Sequence, residues 1–184
     1  HWGLMGGSTI LILMIAIAIL APLLAPWDPL DQDLTRKLIP PIWHASDKAT
    51  WAHPLGTDDL GQDVLARVLY GGRISLAVGL AAMVVAIFVG VLVGAIAGMA
   101  SGKVDAVLMW LADLFLSLPT LPLLLLIIYL FRDSLKAVFG VEGGIFIMIV
   151  IVIGGLRWMP VARLVRAQFF SLREKEFVEA ARAL

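Results

Sequence analysis

The sequence predicts an all-α, polytopic membrane protein, and three observations carry that prediction. Apolar residues make up 61% of the 184 positions and charged residues only 15%, with a mean hydropathy of +0.97; soluble domains rarely approach this balance. The apolar residues gather into four runs, 8–25, 74–100, 107–131 and 143–159, each reaching or nearing the ~20 residues that carry a helix across ~30 Å of hydrocarbon. The one sizeable polar stretch, 27–73, is too small and polar to build a core of its own. The chain therefore reads as a single transmembrane domain over 1–184, without internal repeat, low-complexity tract or second folded domain.

The first run is long for the apolar part of a signal peptide, and Ala21-Pro22 to Pro26-Trp27 offers no clean small-residue cleavage site; it reads as a membrane span. The loop that follows holds seven aspartates in 47 residues. Asp58, Asp59 and Asp63 among glycines raise the question of a calcium site, but no complete EF-hand ligand loop is present. The competing reading is a solvated acidic segment leading into the second span, with Leu60, Val64, Leu65, Val68 and Leu69 as its apolar side. His44 and His53, beside tryptophan and proline, read as surface residues.

The second span carries Gly90, Gly94 and Gly98 at four-residue intervals on one helix face. Such a track lets another helix approach closely where no hydrophobic force drives association. Packing within one chain and packing against a partner subunit are both open. In the third span Pro119 and Pro122 each remove a backbone donor, so the helix kinks or unwinds there; a bend lining a pore and a plain packing kink are the two readings. Asp113 sits six residues before the first proline among apolar neighbours. A carboxylate cannot face lipid cheaply. It either faces water or a basic partner inside the bundle, with Arg157 the nominated partner, or it marks the wet edge of an interfacial elbow helix over 104–112.

After the fourth run the chain turns basic and amphipathic. Val161, Leu164, Val165, Phe169 and Leu172 recur at helical spacing with Arg163, Arg166 and Gln168 between them, so one stripe is apolar and the other meets water or head groups. Arg163 and Arg166 are placed at the membrane boundary. Ser171 to Glu174 fits a capping box, which predicts a new helix beginning at 171. Stretch 157–184 carries six Arg/Lys in 28 residues against five in 47 for 27–73, so the positive-inside rule puts the end of this chain in the cytosol and the long loop outside. Lys103 agrees with this arrangement; Arg132 and Lys136 go against it, offset by Asp133 and Glu142.

Two blocks resemble a known family. The run Trp158, Ala162-Arg163, Arg166, Leu172 and Glu176-Phe177-Val178-Glu179-Ala180-Ala181-Arg182-Ala183-Leu184 is similar to the start of the EAA loop of ABC-importer permeases. The block His53-Pro54-Leu55-Gly56-Thr57-Asp58-Asp59-Leu60-Gly61-Gln62-Asp63-Val64, with Arg67 and Tyr70-Gly71-Gly72-Arg73-Ile74-Ser75-Leu76, resembles the signature of the oligopeptide/dipeptide permease subfamily. One departure is Trp110, where that pattern usually places an arginine.

The resemblance implies the N-terminal part of a type I ABC importer permease-like helical bundle, in a bacterial or archaeal cell membrane. It implies further spans after 184 and a cytosolic coupling loop beginning at 171–184, in which Phe177, Glu179, Ala180 and Ala181 contact an ATPase. The implied partners are a second permease subunit, two cytosolic ABC ATPase subunits that hold the ATP and magnesium, and an extracytoplasmic solute-binding protein delivering peptides or a related small solute. The permease itself is expected to hold no cofactor, no metal and no catalytic site, and no nucleic-acid signature is present. A secondary carrier and a non-transporting membrane scaffold are the alternatives. The first would need paired intramembrane ionisable residues or matched discontinuous helices, and the second would not need the EAA-like segment.

Overall fold

The computed structural model describes residues 2–100, 102–173 and 175. The described elements are α1 (Trp2–Leu24), a 3₁₀ turn (Leu34–Arg36), α2 (Val64–Ala100), α3 (Gly102–Ser117), α4 (Thr120–Gly155) and α5 (Trp158–Arg173). Among the described residues the only β pairing is an isolated bridge between Thr57 and Asp63. The chain divides into two compact units, 1–77 and 78–184.

Three helices, α1, α2 and α4, are long and apolar enough to cross a membrane, where the sequence suggested four runs; α4 counts once although it carries two arms in place of the last two runs. The difference lies in 107–159. The expected third span, 107–131, is not one helix: it stops at Ser117 and restarts at Thr120. Pro119 is the cause, because it cannot donate to the helical ladder and forces the residue before it out of helical geometry. The α4 helix is in turn interrupted at Gly140, whose φ of 76° and ψ of 174° are not helical. A side chain at Gly144 would lie 2.7 Å from the backbone nitrogen of Lys136. Residues eight apart on a continuous helix are separated by ~12 Å, so the chain reverses at Gly140 and α4 is two arms, 120–139 and 141–155. A non-glycine residue at 140 would be forced into the left-handed region. The second arm ends at Gly155 rather than at the expected 159, and the turn at Leu156 and Arg157 starts α5 at Trp158.

In the first unit, α1 buries only Ala18 and Ala21 and presents the rest of its apolar surface outward, as a helix solvated by lipid or by other spans does. The loop after it is ordered by its own polar residues. Asp58 Oδ1 accepts the N–H groups of Leu60 and Gln62, both at 2.9 Å, and its other oxygen meets Arg67. Removal from water raises the Asp58 pKa, but the Gln62 and Leu60 N–H groups and the Arg67 charge outweigh that and hold it below the ordinary 3.8. The Thr57 hydroxyl accepts from Ile39 N–H at 2.9 Å and donates to the Arg36 carbonyl. Gly56 and Gly61, with φ of 79° and 76°, lie so close to the carbonyls of Ile39 and Asp33 that neither site admits a Cβ.

The helix α2 begins at Val64, ten residues before the expected span, because Asp63 caps it: Oδ2 accepts from Ala66 N–H at 2.7 Å, satisfying one of the free donors of the first turn. Its other oxygen is 2.9 Å from His53 Nδ1. His53 is not a surface residue. It is 3% exposed and stacks on Trp27 with ring centroids 5.0 Å apart, while Trp27 donates its indole N–H to the Ala52 carbonyl at 2.8 Å. Burying an imidazole requires a hydrogen-bond partner, and Asp63 supplies it from ten residues away.

Candidate functional site

The site is built where α5 meets α2 and α3 within the second unit. The glycine track of α2 receives α5: a Cβ at Gly90 would lie 2.5 Å from the Val161 Cβ, one at Gly94 2.5 Å from the Ala162 carbonyl, and one at Gly98 2.5 Å from the Phe169 Cβ. All three positions are filled from within the same chain. Arg173 donates to the Gly98 carbonyl at 3.3 Å, which fixes the last turn of α5. Gly154 on α4 lies against Ala82 and Val85 of α2 in the same manner, a Cβ there falling 2.7 Å from Val85. This fourth small-residue contact has no sequence signal beyond one glycine among many.

Beside this seam, Ala112, Trp158, Met159 and Ala162 form a buried cluster covered by Val89, Val93 and Phe115. Trp158 meets Phe115 edge-on at 6.5 Å between ring centroids, a favoured aromatic geometry. Two ion pairs flank the cluster. Arg166 grips Asp105 in a bidentate fork, with Nη2 to Oδ2 at 2.5 Å and Nε on Oδ1. Asp105 is 8% exposed, and the guanidinium also lies 4.7 Å from the Phe170 ring centre. Arg163 reaches Asp113 in the second pair, where the two side chains are 48% and 60% exposed.

Asp113 is therefore partnered by Arg163 and not by Arg157, the residue nominated from sequence. Arg157 sits exposed in the turn before α5, six positions from the guanidinium that α5 carries onto α3. The arginines proposed for the membrane boundary both bond carboxylates of α3. Asp105 is the residue that sequence reasoning missed. Its one signal was an acidic residue in the first turn of a helix, which the helix dipole alone accounts for.

Pro119 and Pro122 are exposed at the break between α3 and α4. Beside that break a cavity of ≈ 40 Å³ is lined by Phe115, Leu116, Leu118, Thr120, Leu123, Leu156 and Met159. This is room for a water or so, well below the ~300 Å³ of a small-ligand pocket. Among the described residues no three of His, Asp and Glu converge to hold a metal ion. The helix start expected at 171 is not at that residue: Ser171 to Arg173 continue α5, a serine inside a helix being unable to cap a new one, and the rest of the expected helix lies outside the described residues. Phe177, Glu179, Ala180 and Ala181, the residues expected to contact an ATPase, lie outside the described residues.

Residues 90–184 match the family of binding-protein-dependent transport system inner membrane components. The chain belongs to this family. Residues 1–41 match the N-terminal transmembrane domain of oligopeptide transport permease C. The oligopeptide transport system permease protein OppC of Escherichia coli K12 is 41% identical over 172 residues, 94% of this chain and 51% of that protein. The dipeptide transport system permease protein DppC of Bacillus subtilis is 33% identical over 178 residues, 97% of this chain and 50% of its own. That of Escherichia coli K12 is 44% identical over 133 residues, 72% and 44% respectively. The chain thus spans about half the length of these curated relatives. With its apolar helices, this family membership makes it a multi-pass inner membrane protein.

Proposed function

We propose that this chain is part of the transmembrane permease subunit of an ATP-driven ABC importer that carries peptides delivered by an extracytoplasmic binding protein. The observation that carries the reading is α5: an amphipathic helix seated on a glycine track and held by two ion pairs, leading directly into 174–184 inside the family match. The names of the relatives, oligopeptide and dipeptide transport permeases, support the substrate class.

On this reading 174–184 lies in the cytosol, and Phe177, Glu179, Ala180 and Ala181 seat in a groove of an ATPase subunit. Two such ATPases hold ATP and magnesium, and a second, homologous permease subunit completes the path. Nucleotide closes the ATPase pair, the seated segments are drawn together, and the spans shift from inward-open toward outward-open. The permease contributes no bond chemistry. The joint at Pro119 and Pro122 bends as the spans move, and the path forms with the second subunit, since the cavity at that joint holds little more than a water.

The test is co-expression of the full-length subunit with its partner permease and ATPases, followed by uptake of labelled two- to five-residue peptides into proteoliposomes. Uptake that needs ATP and is abolished by Glu179→Arg supports the reading. Uptake driven by an ion gradient without an ATPase points to a secondary carrier, and a folded subunit that recovers no ATPase points to a scaffold; either overturns it.

A further inference from the structure

The helix α3 lies between two joints. Gly102 enters it at φ +63°, and the break at Leu118 and Pro119 ends it. Between these joints α5 grips it twice: Asp105, in the first turn, by Arg166, and Asp113, more than two turns later, by Arg163. The two carboxylates are eight residues apart, ~12 Å along the helix, while the two arginines are three residues apart, ~4.5 Å. The pairing order is reversed, so the helices run across one another in opposite senses and the guanidinium arms span the difference. The apolar contact of Ala112 with Trp158, Met159 and Ala162 lies at the Asp113 end of the crossing, just before Arg163 on α5.

A rod held at one point pivots, whereas a rod held at two points follows both translation and rotation of its holder. On the importer reading above, α5 is the helix that moves with the ATPase. We infer that α3 is a strut slaved to α5: Asp105 and Asp113 are positioning residues that pass the displacement of α5 to the Pro119 joint. The two grips differ in strength. The Asp105 grip is bidentate, nearly buried and stacked on Phe170, and it stays closed through the cycle. The Asp113 grip is a half-exposed pair, the weaker of the two, and keeps α3 from pivoting about the first.

The experiment uses the full-length subunit assembled with its partner permease and ATPases in proteoliposomes, and reads peptide uptake per ATP hydrolysed. Asp105→Arg lowers that ratio on the order of tenfold, the range of a coupling free energy between sites, while the assembled complex still hydrolyses ATP; the exchange D105R with R166D recovers most of it. Because Asp105→Arg endangers folding, Asp113→Asn is the second arm: it lowers the ratio roughly threefold, the scale of a half-exposed ion pair, with thermal stability unchanged. A merely structural role for the pairs predicts less assembled complex but an unchanged ratio in what assembles, and that result overturns the strut. With both ion pairs intact, spin labels on single cysteines placed at Leu116 and Gln168 should hold one separation with and without trapped nucleotide; a shift of that separation also overturns it. Failure of the unmutated complex to couple ATP to uptake would instead refute the importer reading.

Discussion

In the loop between α1 and α2, the carboxylate of Asp58 takes N–H groups two and four residues away, and that of Asp63 takes one three residues away. In α3, Asp105 and Asp113 take guanidinium groups 61 and 50 residues away. The same residue type does opposite work in the two regions. A loop without a ladder must satisfy its backbone with side chains, so its aspartates stay local. A helix has already satisfied its backbone, so its carboxylates are free to join elements, and in an apolar bundle they need a cation to be tolerated. The first arrangement fixes a shape, and the second couples helices.

The strongest test of this contrast is steric. Gly94→Leu in the full-length subunit places side-chain atoms where the Ala162 carbonyl already stands, and should separate α2 from α5 at a cost of roughly 3 kcal/mol or more; the check is loss of the monodisperse subunit in detergent. Next comes Arg166→Ala, which strands the nearly buried Asp105 and should cost roughly 2–4 kcal/mol, read as a fall in unfolding temperature. Asp63→Ala removes both the cap of α2 and the partner of His53, roughly 1–3 kcal/mol; proteolysis should open the loop while α3 and α5 stay protected. Arg163→Ala breaks an exposed pair and should shift stability by about 0–1 kcal/mol, so a larger shift would mean that lipid or a neighbouring subunit covers it.

Acidification gives the smallest and most local effect. The Asp33 carboxyl is held below its ordinary 3.8, first by the Thr35 hydroxyl, then by the Thr35 N–H and by Arg36, and Asp58 is likewise depressed. A depressed folded-state pKa contributes stability that is complete above the unfolded value and is lost as pH falls through the folded one. Amide exchange in 33–62 should therefore stay slow down to about pH 4 and quicken below 3.8.

Much of the fold was legible because it rests on short-range pattern. Apolar runs, the glycine interval on α2 and the break at Pro119 each follow from residues within one or two turns. The reversal at Gly140 was less visible, since 132–142 mixes Arg132, Asp133, Lys136 and Glu142 with apolar residues and reads as a loop, while the structure keeps it helical on both sides of one glycine. The partner of Asp113 was misplaced for a different reason. Nominating Arg157 required knowing where α5 begins, and the turn at Leu156 moves the facing position to Arg163. His53 was misjudged because a lone histidine carries no burial signal; only the folding of 25–63 brings Trp27 and Asp63 to it.

The proposed function requires that α5 lead into the cytosol while the α1–α2 loop faces the exterior. The 184 residues contain no cysteine, so single cysteines placed at Lys48 and at Lys175, in full-length protein free of other cysteines, report side unambiguously. A membrane-impermeant maleimide applied to intact cells should label position 48 and not 175, and applied to inverted vesicles should label 175 and not 48. Labelling of both positions from one side would contradict the account.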